Sequence, residues 1–121
     1  MNGWRVALAV RSVTVHPDDV SRRLGLSPDR TSSRPEQRWP YIWELASDRP
    51  PDADLDDHLA AVAGRCAAAL TAIAELAATE GVTVAVEAVF RGAEAPGIWI
   101  PPAAIAFAAA CGIGVDVDLL S

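Results

Sequence analysis

The chain has 121 residues, just over half of them hydrophobic (51%), a length and composition that fit one globular domain (1–121) and exclude a disordered chain. Formal charge is -6, from sixteen acidic residues against ten arginines and no lysine. That excludes chemistry built on a Schiff-base or phosphate-loop lysine, and it argues against general nucleic-acid binding, which phosphate neutralisation drives.

Near the N-terminus Trp4, Val6, Leu8 and Val10 alternate with Arg5, Ala7, Ala9 and Arg11. A period of two with branched side chains predicts a half-buried strand. Parity shifts to Val13 and Val15, so the strand bulges or ends near Arg11–Ser12. The apolar run Val6–Val10 is too short for a signal segment, and no run approaches a membrane span. The expected location is cytoplasmic, with no membrane partner. His16-Pro17-Asp18-Asp19 predicts a short helix, since proline suits the first turn and carboxylates suit the positive end of the helix dipole; Gly25 ends it.

Residues 27–38 (SPDRTSSRPEQR) form a loop by composition. With Arg22 and Arg23 before it, this is the one locally basic place in the chain, and Arg30, Arg34 and Arg38 are candidate anion-binding residues. The following segment, WPYIWELA, places Trp39, Tyr41, Trp43 and Leu45 on one face of a strand. Such aromatics are core or, as the alternative, line a pocket; Trp39, Trp43 and Trp99 are the candidate pocket residues.

Residues 47–53 form a turn before the next helix, and the stretch from Glu44 to Asp57 is acidic: Glu44, Asp48, Asp52, Asp54, Asp56 and Asp57 stand against the single cation Arg49. A helix start accounts for two or three of these acids but does not require six. The surplus makes them candidate partner-binding residues for a basic protein. From Asp54 to about Glu80, Leu55, Leu59, Val62, Cys66, Leu70, Ile73 and Leu76 fall on one helical stripe. At 1.5 Å per residue such a helix would be about 39 Å long, against about 27 Å for an eight-residue strand. It therefore overhangs the sheet or breaks, with Gly64 the weak point; an overhanging Ala-rich end would offer a homodimer contact.

Val82, Val84, Val86 and Phe90 predict a strand, residues 92–97 a turn, and Ile98–Ile100 a short strand returning as a hairpin. Pro101-Pro102 open a nearly all-apolar, well-buried helix over Ala103–Ala110, and Ile113, Val115, Val117 and Leu119 mark a final strand. The expected fold is α+β: a mainly antiparallel sheet with helices on one face, built from a ferredoxin-like βαββαβ unit (39–119) preceded by an extra strand and short helix.

Several stretches in this order resemble a known family. They are the Pro17-Asp18-Asp19 helix start, Leu24-Gly25-Leu26-Ser27-Pro28, the strand ending Trp43-Glu44-Leu45, the helix with His58-Leu59, and Gly112-Ile113-Gly114-Val115-Asp116-Val117-Asp118-Leu119. Across nearly the whole chain this order is similar to the domain of unknown function 4279. The resemblance implies a small bacterial α+β domain, and no substrate, cofactor or catalytic residue.

No glycine-rich phosphate fingerprint, HExxH, CxxC or GxSxG occurs, so no catalytic residue, cofactor or metal ligand is assigned. Cys66 and Cys111 read as buried thiols, and His16 and His58 as surface or capping residues. Three functions remain. The first is a noncatalytic protein-interaction module using the acidic surface, of which an immunity- or antitoxin-like protein is one form. The second is a small-molecule-binding regulatory domain with an aromatic pocket and an arginine loop. The third is an enzyme using the sheet-face carboxylates Glu44, Glu87, Asp116 and Asp118, alone or with His16 or His58.

Overall fold

The structure, a computed structural model, describes residues 2–121. The first alternating segment forms β1 (Gly3–Ser12), which lies at the centre of a five-stranded sheet. Its other strands are β2 (Arg30–Ser33), β3 (Tyr41–Ala46), β4 (Val82–Arg91) and β5 (Gly114–Leu120), in the order β2-β3-β1-β4-β5. Three neighbouring pairs are antiparallel, and β4 and β5 are parallel.

β1 is buried on both faces along most of its length. Trp4, Val6, Leu8 and Val10 are buried beneath the helices. On the other face Ala7 and Ala9 are also buried, although no helix covers them. Glu44 stands opposite Ala9 and Glu87 opposite Ala7. The ion pairs Arg5–Glu44 and Arg11–Glu87 therefore each reach along the strand past an alanine, and their aliphatic stems shield it. The parity shift after β1 is a turn: Ser12 Oγ accepts from the amides of Thr14 and Val15 at 2.9 and 2.6 Å.

Helix α1 (Pro17–Leu24) has the expected ends: His16 Nδ1 accepts from the Asp18 amide at 3.1 Å, and Gly25 closes it at φ 66°. The long stripe becomes two helices, α2 (Leu55–Arg65) and α3 (Leu70–Ala77), joined by a 3-10 turn (Ala67–Ala69) and bent by 48°. The break falls just past Cys66, beyond Gly64. The bend lets Leu55, Leu59 and Val62 of the first half and Ile73 and Leu76 of the second join one core, so of the two expected outcomes the helix breaks and does not overhang the sheet. No single helix is long and apolar enough to cross a membrane.

Four further expectations are corrected. The first strand is the middle of the sheet, not an addition to a unit starting at Trp39. Ile98–Ile100 is not a strand, and the hairpin after β4 is absent. Prolines at 96, 101 and 102 flank that tripeptide and cannot donate to a ladder, and β5 takes the edge of β4 after the crossover helix α4 (Pro102–Cys111). Within the expected loop, Arg30–Ser33 forms β2 by pairing with β3. Helix α4 is not well buried as expected: it buries Ala104, Phe107, Ala108 and Cys111 and exposes its other face, Ile105 included; an alanine-rich face carries little apolar area and tolerates water.

Candidate functional site

Where β1 begins and β3 ends, the chain from Ser47 to Ala53 crosses from the sheet to α2, running beside the first residues of β1. Two backbone bonds fix the crossing: the Ser47 amide donates to the Val6 carbonyl at 2.9 Å, and the Trp4 amide to the Pro51 carbonyl at 2.8 Å. The approach is so close that a Cβ at Gly3 would collide with the Pro51 carbonyl, and Gly3 adopts φ 138°, which L side chains rarely reach. Asp48 turns the chain with φ 60°.

The crossing forms one wall of a pocket of about 490 Å³, within the range of small-molecule sites. Arg5, Arg30, Arg49 and Arg91 stand in its wall, with Trp4, Pro51 and Val89 as apolar surface. Four of ten arginines thus line one pocket in a chain of net charge -6. Glu44, 6% exposed, takes Arg5 at 2.7 Å and lies 3.8 Å from Arg30. Arg49 Nε is 3.6 Å from Asp57. Arg91 has no carboxylate partner among the described residues.

His58 forms part of the same wall and is 1% exposed. Its Nδ1 lies 2.6 Å from Ser47 Oγ. Its Nε2 has no hydrogen-bond partner. Burial pushes the His58 pKa below the ordinary 6.5, against partial opposition from the Pro50 carbonyl and the Asp57 charge, so the ring is neutral at neutral pH. The expectation that His58 is a surface or capping residue is corrected. The signal was present: His58 is three residues after Leu55 and four before Val62, on the apolar stripe itself. Ser47 carried no signal of its own, because only the crossing brings it to the histidine.

The predicted sites are partly brought together. Arg30, Arg34, Arg38 and Trp39 line a second hollow of about 330 Å³ beside β2. The three tryptophans do not form a pocket. Trp43 is fully buried in the core, its Nε1 donating to Ser21 Oγ at 3.0 Å, and Trp99 is 61% exposed beside Asp54 and Asp56. Of the acids, Asp48, Asp52, Asp54 and Asp57 are exposed in the crossing and at the start of α2, with Asp56 half-buried. Glu44 is not part of that surface, because strand alternation turns it onto the open sheet face between two arginines. Asp54 occupies the N-cap position without a side-chain cap bond. Among the sheet-face carboxylates, Glu44 and Glu87 are held by arginines, while Asp116 and Asp118 lie exposed on the edge strand. Among the described residues no group of three His, Cys, Asp or Glu side chains is placed to hold a metal. Both cysteines are free and buried; burial raises the Cys111 thiol and pushes Cys66 up to about 11.

The fold and site define a small α+β domain with all helices on one face of a mostly antiparallel sheet and an arginine-lined pocket at one end. The model of the family "Domain of unknown function (DUF4279)" matches residues 2–121, and the chain belongs to that family. No curated protein and no solved structure matches it.

Proposed function

We propose that this is a noncatalytic binding domain whose ligand is a small organic anion held in the pocket beside the Ser47–Ala53 crossing. One observation carries the reading: a strongly acidic chain gathers Arg5, Arg30, Arg49 and Arg91 around a concave, partly apolar space. Guanidinium groups suit oxyanions because their N–H donors match a carboxylate or phosphate edge. This keeps the small-molecule reading but moves it from the tryptophans to the end of the sheet. A thermal-shift panel of small carboxylates and phosphate esters tests it. At one hundred times its Kd a ligand stabilises by about 2.7 kcal/mol, and Arg91→Glu removes the shift. A panel with no stabilising anion, or shifts indifferent to Arg91→Glu, contradicts the reading.

A second reading is supported by the crossing's outer surface. Asp52 and Asp54 are exposed and form no ion pair among the described residues, as a docking surface for a basic protein requires. Reversing Asp52, Asp54 and Asp56 to Arg abolishes capture of such a partner on this reading; unchanged capture contradicts it.

A further inference from the structure

The second arginine hollow bears on the length of the ligand, an inference that rests on the larger pocket being the ligand site. β2 and β3 pair in register, Arg30 with Glu44 and Ser32 with Ile42. Strand alternation sets these four residues, and Ala46 two places past Glu44, on one face of the sheet. It is the open face, where Glu44 meets Arg5. Ser32 and Ile42 line the smaller hollow, Ala46 lines the larger pocket, and Arg30 stands in the wall of both. Beyond the ladder the Arg34 amide donates to the Pro40 carbonyl at 2.8 Å, and the Gln37 amide to the Arg34 carbonyl at 3.0 Å. These two bonds close the loop that carries Arg34, Arg38 and Trp39.

Charge separates the two spaces. In the larger pocket, carboxylates face three of the four arginines: Glu44 is beside Arg5 and Arg30, and Asp57 beside Arg49. The smaller hollow has no carboxylate in its wall. Arg34 and Arg38 are exposed and form no ion pair among the described residues, and Glu36, on the same loop, lies outside the wall. Like charges gathered without a counter-charge repel, and a bound oxyanion relieves that repulsion. We propose that the ligand is an elongated dianion with an oxyanion group at each end. One end sits in the larger pocket beside Arg91, the other is held by Arg34 and Arg38, and the middle crosses the Arg30 side chain. Ile42 and Ala46 are four residues apart on β3, so the two charged ends stand about 10–13 Å apart at 3.3 Å per residue. Half-buried Trp39 gives the far end an apolar flank.

The test compares three probes on the full chain, by calorimetry and by amide chemical shifts. They are sebacate, a long diacid; monomethyl sebacate, the same chain with one end uncharged; and adipate, a diacid too short for the span. Sebacate is expected to bind at least about tenfold tighter than either, as a linked second group does. It shifts amides at Ser47–Arg49 and Val89–Arg91 together with those at Thr31–Arg34 and Gln37–Trp39. Replacing Arg34→Gln and Arg38→Gln together brings sebacate down to the affinity of its monomethyl ester; both side chains are exposed, so the fold tolerates the change. Sebacate that binds no tighter than the monomethyl ester, or that keeps its advantage in the double variant, overturns the inference, while Arg91-dependent binding of the monomethyl ester still upholds the larger pocket. Adipate binding as tightly as sebacate overturns the span. Absence of Arg91-dependent binding for all three probes overturns the pocket reading and the inference together.

Discussion

Replacing Gly3 by alanine and replacing Gly64 by alanine are chemically the same change, and the structure predicts opposite outcomes. At Gly3 the backbone has φ 138°, and the new Cβ meets the Pro51 carbonyl. A residue held in such a conformation costs about 1–3 kcal/mol. Moving Pro51 away also loses the Trp4–Pro51 hydrogen bond, about 1 kcal/mol. The expected loss is about 2–4 kcal/mol. With an unfolding entropy near 2.1 cal/mol/K per residue, each kcal/mol is worth about 4 °C in a chain of this length, so Tm falls by about 8–16 °C. Gly64 lies in α2, and its Cβ would meet nothing within 4 Å. There alanine adds helix propensity of about 0.5–1 kcal/mol, or about 2–4 °C. Thermal unfolding followed by far-UV circular dichroism reads both. A Gly3→Ala protein within about 1 °C of wild type would refute the close crossing, and with it that wall of the pocket.

Acid stability reports on His58. Its folded pKa lies below the ordinary 6.5, so the unfolded chain takes up a proton first as pH falls; stability is full above about pH 6.5 and declines below it, by at most about 1.4 kcal/mol per pH unit. Urea unfolding at about pH 5 and pH 7 shows a smaller difference in His58→Phe than in wild type, and equal differences contradict the buried neutral ring. Cys66 acts at the other end of the scale: its folded thiol ionises at about 11 against an ordinary 9.0, so stability present below about pH 9 is lost as pH rises toward 11, by about 2–3 kcal/mol, less in Cys66→Ala. Native protein leaves both thiols unreactive to a disulfide reagent, and rapid labelling refutes their burial. Trp43→Phe removes the bond to Ser21 and opens a cavity, costing about 2–3 kcal/mol and deleting the most blue-shifted part of the fluorescence; an unchanged spectrum contradicts its burial.

What the chain discloses by itself is local. The alternation of β1, the Pro17 helix start with its Gly25 end, and the Leu55–Leu76 stripe all state their structure in periodicity, because each buries one face against a common core. Pairing is not stated. Nothing in Trp4–Val10 says that both edges of β1 are covered, and nothing in Arg30–Ser33 says strand, since its residues pair only because β3 is beside them. Ile98–Ile100 has strand-forming residues, yet β5 holds the edge it would need. The pocket was legible in fragments: Arg5 and Arg91 shared a facing parity, and His58 interrupted an apolar stripe. Their convergence depends on the crossing at Gly3, a long-range contact with no periodic trace.

On the proposed function, the pocket beside the Ser47–Ala53 crossing binds a small anion. Backbone amide chemical-shift mapping with benzoate tests it most directly. The account predicts saturable shifts grouped at Gly3–Val6, Ser47–Arg49, His58 and Val89–Arg91, all abolished by Arg91→Glu. Shifts confined to the hollow of Arg34, Arg38 and Trp39, or no saturable shift anywhere, would contradict it.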